Sequence, residues 1–165
     1  MKFKLLLFFS ISVIMIVLTG CPYESKVSLS DSKDSSIDPD IIGKWLLKSG
    51  TQGRWDTLII MQFNHHEYYF ETHELKNGKP LVGRGRAFIT CINHDRILNL
   101  CDLTDPAKFF FVKYVISGNK MITYSASDQY IKEKFSSSRE LFTYFKAHFG
   151  KQGFFEAADT LFFYH

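Results

Sequence analysis

From residue 43 to residue 134 the chain alternates short apolar runs with turn-forming residues, the pattern of an all-β domain. The runs fall at 43–48, 57–63, 67–75, 81–92, 96–103, 109–116, 121–125 and 129–134. Asn77-Gly78 is the strongest hairpin signal between them, because both central residues of a type I′ turn need positive φ. Asn64-His65, Asn93-His94-Asp95, Thr104-Asp105-Pro106 and Gly118-Asn119 supply the other breaks. Within 109–116, Phe110, Val112, Tyr114 and Ile116 make an alternating inner set, which turns Phe109 and Phe111 outward.

The period then changes. Ser137-Ser138-Arg139-Glu140 has the form of a capping box, in which a Ser oxygen takes an early helix N–H and the Glu reaches back. Leu141, Phe142, Phe145 and Phe149 share one face of a helix over 138–149, and Gly150 suits its C-terminal stop. That face needs a surface to pack on, and covering Phe109 and Phe111 provides one. A last apolar run at 160–164 reads as a short strand. The expected fold is mainly β: an eight-stranded antiparallel barrel with one C-terminal helix and a short final strand. An α+β open sheet with one packed helix is the alternative. Closure is favoured because so apolar a sheet would otherwise leave exposed edges.

At 165 residues the chain is one domain in size, and 45% hydrophobic with 22% charged residues excludes disordered, collagen-like and multi-span membrane classes. Aromatics reach 16%, which favours strands and a large core. The formal charge is +3, and two of those positives, Lys2 and Lys4, lie at the extreme N-terminus. Nothing in this balance points to nucleic acid.

Lys2 and Lys4 precede a 14-residue apolar run, 5–18, too short for a spanning helix of about 20 residues. A basic start followed by such a run reads as a secretory signal peptide over 1–20. Leu18-Thr19-Gly20-Cys21 then resembles the lipobox of bacterial lipoproteins. The resemblance implies cleavage before Cys21, a diacylglycerol (palmitate-type) anchor on its thiol, and a place in the cell envelope. Two or three acyl chains anchor stably where one is marginal. Pro22 is not the Asp that resembles an inner-membrane retention signal, so outer-membrane placement facing the periplasm is preferred if the source has an outer membrane. Residues 21–40 are Ser- and Asp-rich without apolar periodicity and read as a lipidated flexible tether, with a reach of roughly 25 Å. Residues 41–165 form the domain.

Gly43-Lys44-Trp45 at the first strand resembles the Gly-x-Trp motif of lipocalins, as does the order of strands, helix and short strand. The resemblance implies that Trp45 closes one end of the barrel beneath an Arg from a late strand. The run at 160–165 has no Arg, which leaves Lys134 or Arg139 for that place. It also implies an apolar cavity, with Tyr69, Phe110, Tyr114 and Tyr124 as candidate lining residues.

Other chemistry is sparse. Cys91 and Cys101 flank one expected hairpin in an oxidising compartment, so a disulfide is expected, although a two-residue turn at His94-Asp95 would set Cys91 opposite Leu98 and a bulge would be needed. His65 and His73 share a face but stand roughly 26 Å apart along a strand, while His65 and His66 point oppositely, so no metal site is expected. Arg84-Gly85-Arg86 reads as a solvated β-face. No nucleophile elbow or phosphate loop occurs, and neither an enzyme nor a cofactor is expected. Two functions stay open. One is a membrane-anchored binding module for a small apolar ligand of the fatty acid or lysolipid class. The other is an envelope protein-interaction or inhibitor module with a filled barrel and no ligand.

Overall fold

A computed structural model describes residues 22–49, 54–76 and 78–164. The signal peptide expected over 1–20 and the expected lipidation site Cys21 lie outside these described residues. The strands are β1 (Glu24–Ser25), β2 (Gly43–Ser49), β3 (Arg54–Gln62), β4 (Tyr68–Lys76), β5 (Lys79–Ile92), β6 (Asp95–Asp102), β7 (Asp105–Ser117), β8 (Lys120–Ala126) and β9 (Phe155–Phe163). One helix, α1 (Ser138–His148), stands between β8 and β9. Each strand from β2 to β9 pairs antiparallel with the next, and β9 pairs with both β8 and β2. The result is a closed eight-stranded antiparallel barrel with, among the described residues, one α-helix. The two residues of β1 pair with Phe109 and Phe110 of β7, on the stretch that β8 does not reach.

The eighth stave is not where the apolar runs placed it. Residues 129–134 form no strand; Ser127 starts a turn, accepting from the Ile131 amide through its carbonyl and from the Gln129 amide through its hydroxyl. Ile131 then buries its side chain among the aromatic residues around α1. The ring is completed instead by β9, which is nine residues long rather than a short addition. Its first half, Glu156-Ala157-Ala158-Asp159, has the low strand preference that hid it from the pattern.

Alternating side chains divide the core in two. Inside the barrel lie Trp45, Ile60, Tyr68, Ala87, Ile89, Leu98, Tyr114, Met121 and Leu161. Outside it, Phe111 is buried against Phe145 of α1 at a centroid distance of 5.1 Å, beside Leu141 and Phe154. The helix covers the outward aromatics of β7 as its amphipathic face requires. Ser137 caps it by accepting the Glu140 amide, while the Glu140 carboxylate reaches back to Ser136.

The polar segment before β2 is not a flexible tether. Tyr23, Leu29 and Ile41 are buried, and two 3-10 turns, Ser32–Asp34 and Pro39–Ile41, are capped by Asp31 and Asp38. Several of its polar side chains bond to backbone and to one another. The Ile89 amide donates to Ser35 Oγ at 2.8 Å, and the Leu29 amide donates to Asn99 Oδ1 at 2.8 Å. Asn99 is fully buried, and its amide nitrogen donates to Thr90 Oγ1 at 2.8 Å. Replacing Asn99 by Ala strands the buried Leu29 amide and leaves Thr90 Oγ1 with Ser30 Oγ as its partner. Asn99→Ala should destabilise the fold by about 1–3 kcal/mol in urea unfolding, with Leu29 losing amide exchange protection. Unchanged Leu29 protection would mean that Asn99 does not hold the segment.

Candidate functional site

Trp45 enters the barrel from the start of β2, where it is 1% exposed. Its indole N–H donates to the Ile41 carbonyl at 2.8 Å, and its ring meets Phe163 edge-on at 5.1 Å. Phe163 is its register partner on β9. The ring of a Phe therefore stands on Trp45, while Lys134 lies in the crossing before α1 and Arg139 in that helix's first turn.

Asp38, 8% exposed, crosses the same end. Its Oδ2 accepts from the Tyr114 hydroxyl at 2.7 Å and from Arg96 Nη1 at 2.5 Å. Its backbone amide donates to the Tyr68 hydroxyl oxygen at 2.5 Å. A buried carboxylate needs such donors; here they come from β6 and β7, while Tyr68 of β4 holds the backbone of the same residue. Burial pushes the Tyr68 hydroxyl up to about 12, and it raises Tyr114 further, helped by the bond to Asp38. The charge of Asp38 in turn holds the Arg96 guanidinium above its usual value.

Above this floor the barrel is hollow. A cavity of about 270 Å³ is walled by Ile60, Phe70, Ala87, Leu98, Leu100, Val112 and Leu161. Small and polar residues take over toward the far end: Thr72 and Glu74 on β4, Asp56 on β3, Thr123 and Ser125 on β8, and Asp159 on β9. Asp56 is buried, whereas Glu74 and Asp159 are exposed and mark the mouth. Although Asp159 is exposed overall, partial desolvation of its carboxyl at the mouth raises it above the ordinary aspartate range. Gly85 shapes the wall, since a side chain there would overlap the Phe70 ring and the Cys101 carbonyl.

The structure separates the four aromatics expected to line the cavity. Tyr69 faces out and donates to Glu71 at 2.8 Å; Tyr124 faces out beneath the Lys113 ammonium at 5.4 Å. Tyr114 points in but belongs to the floor. Phe110 shares its inward side but lies opposite Leu100 and Glu24, off the cavity lining. The tyrosine that reaches the cavity is Tyr68, one position earlier on β4. With Tyr68, Tyr69 and Phe70 consecutive, aromatic content gave no phase; the downstream alternation of Thr72 and Glu74 against His73 did not resolve it either.

Cys91 and Cys101 are free thiols, not a disulfide. The β5–β6 turn uses Asn93 and His94, both at positive φ (52° and 73°), so Ile92 faces Asp95 and Cys91 faces Arg96. Cys101 faces Arg86, five positions away and on the opposite side of the sheet. The histidines are dispersed: His66 Nδ1 lies 2.7 Å from the Ser35 carbonyl, and His73 Nε2 lies 3.3 Å from Glu71. Arg84 donates to Glu71 at 2.9 Å, while Arg86 pairs with Glu67 and lies over the Phe63 ring. Among the described residues no helix is long and apolar enough to cross a membrane. Comparison with protein-family models, with curated proteins and with solved structures gives no match.

The tyrosines of the floor set an alkaline limit on stability. The folded state keeps the Tyr68 proton to about pH 12, whereas an unfolded tyrosine releases it near 10. Between those values the folded state binds more protons, so stability falls as pH rises. Wild type should lose on the order of 2 kcal/mol more than Tyr68→Phe from pH 10 to 12 in denaturant titrations. Parallel pH profiles for the two proteins would show that Tyr68 is not shielded.

Proposed function

We propose that this protein is an envelope lipoprotein whose barrel binds a small apolar ligand, a single-chain amphiphile of the class that includes fatty acids and lysolipids. The cavity of about 270 Å³ carries the reading. It is apolar along its length, closed at one end and polar at the other, the form that buries a chain and leaves a head at the surface. Its volume lies at the small end of ligand sites, which suits one aliphatic chain of modest length rather than a two-chain lipid. It also favours ligand binding over a barrel filled by its own side chains.

The anchor rests on Leu18-Thr19-Gly20-Cys21 and the basic and apolar segments before it. Pro22 bridges to Ser127, and the Tyr23 amide donates to the Ala126 carbonyl at 2.7 Å. A lipid on Cys21 would therefore hold the barrel close against the bilayer rather than on a long spacer.

Two measurements test the two halves of the reading. Cells given an alkyne analogue of palmitate should label the wild-type chain and not Cys21→Ala; equal labelling would remove the anchor. Purified protein should bind the neutral apolar dye N-phenyl-1-naphthylamine, and Ala87→Phe, which fills the cavity from its wall, should weaken it by about tenfold or more. Unchanged dye binding with Ala87→Phe still folded would place the dye elsewhere and sink the cavity reading.

A further inference from the structure

Resting on the reading of Cys21 as a lipid anchor, we infer that the open end of the barrel is a membrane-contact surface, with Trp55, Leu75, Leu81, Val82 and Leu103 set into the lipid interface around the mouth. These side chains are all exposed. Trp55 precedes Asp56 of the mouth on β3, and Leu75 follows Glu74 on β4. Leu81 of β5 is the register partner of Glu74, and Val82 stands beside it. Leu103 lies in the turn from β6 to β7, where its amide donates to the Arg84 carbonyl at 3.0 Å. The arc therefore runs along the rim from β3 to β6. Apolar side chains gathered at one exposed edge mark an interaction site.

The path of the chain decides what lies against that edge. Pro22 bridges to Ser127, just past the end of β8. β8 starts at the floor, where the Phe163 amide donates to the carbonyl of the preceding Asn119, and passes Ser125 at the mouth. Cys21 is one residue from the Pro22 bridge, about 4 Å along the backbone. Acyl chains on Cys21 therefore enter the bilayer from the level of the mouth, across the ring from the apolar arc. Two attachments on opposite sides of the mouth fix the orientation of the barrel, where an anchor alone would leave it free to roll.

The chemistry of the rim suits the interface of a neutral bilayer. Tryptophan is favoured at that depth, with an apolar ring body and a wet N–H. Trp55 is held edge-on by Phe162 at 6.0 Å. Lys79 is exposed at the hairpin tip, from which its ammonium reaches headgroup phosphates while Leu75 and Leu81 enter. Glu74 and Asp159 are exposed on the same rim with the opposite sign, so apolar contact rather than net charge supplies the binding. Exposed aromatics at the floor end are placed differently: Phe63 lies against the Arg86 guanidinium at 4.4 Å and Tyr164 against the Lys44 ammonium at 4.3 Å. With the mouth against the bilayer, a single-chain amphiphile passes from the lipid into the cavity without crossing water.

The two tryptophans report on this orientation, since Trp45 is buried and Trp55 is 49% exposed. The mature chain from cell envelopes is added to phosphatidylcholine vesicles whose acyl chains carry bromine close to the headgroup, and bound protein is isolated by flotation. Trp55 emission should move to the blue and be quenched by the bromolipid, and Trp55→Phe should lose both effects. Leu75→Ser combined with Val82→Ser changes two exposed residues outside the cavity wall. It should remove about half or more of the quenching. A chain that floats while Trp55 stays open to aqueous iodide and unquenched by bromolipid has its mouth turned away, which overturns the contact surface and leaves the Cys21 anchor standing. Wild-type quenching in the double variant would overturn it as well. A chain that does not float lacks the anchor, and the contact surface falls with it.

Discussion

Asp38 sits where the N-terminal segment crosses the end of the barrel, and its carboxylate and backbone are held by Tyr114, Arg96 and Tyr68. The carboxylate is tolerable in that position only while Tyr114 and Arg96 donate to it; removing them would leave a charge in an apolar floor. Those donors stand on β7 and β6, and Tyr68 of β4 accepts from the backbone amide of the same residue, so Asp38 links three staves and docks the segment that carries it. Trp45 and Ile41 fill the space beside it, joined by the indole hydrogen bond. The chain has closed one end of its barrel with its own preceding residues.

That closure determines where empty space can remain. The largest inward side chains, Trp45, Tyr68 and Tyr114, lie at or next to the floor. Farther along the same staves the inward positions pass to Ala87, Leu98, Leu100 and Val112, then to Thr72, Thr123 and Ser125. Small and medium residues around an eight-stranded ring cannot reach one another across it, and a cavity is left. The outer core is the opposite case. Phe111, Phe145, Phe154 and Phe155 meet edge to face at about 5–6 Å and leave α1 firmly seated. The protein packs its outside densely and its inside loosely, which is the distribution a binding barrel needs.

Much of the fold could be read before the structure, and the misses share a cause. Alternation over 109–116 assigned both faces of β7, with Lys113 marking the outward phase of an otherwise apolar and aromatic run. Tyr68-Tyr69-Phe70 has no such marker, and the phase of β4 was lost. The turn falls at 93–94 rather than 94–95, so Cys91 faces Arg96 instead of Leu98; in either register Cys91 and Cys101 lie on opposite faces, and no bulge interrupts the β5–β6 pairing to bring them together. In the segment before β2, Ser35, Asp31 and Asp38 looked like solvated residues. They serve as hydrogen-bond acceptors for the backbone, and composition does not distinguish these uses. Tyr23, Leu29 and Ile41 were the available signal, spaced too irregularly to match any one period. The rim carboxylates escaped notice because Asp56, Glu74 and Asp159 are distant in sequence and converge only when β9 closes the ring.

The hollow barrel with an open mouth is tested most directly by where a bound chain lies. Intermolecular NOEs from decanol to methyl-labelled protein would show this. The terminal methyl of the ligand should contact the methyls of Leu98, Ile60 and Leu161, with the carbon next to oxygen near Thr72 and Thr123. NOEs confined to the outer aromatic surface around α1, or a chain lying with its hydroxyl end toward Trp45, would contradict the closed floor and the open mouth.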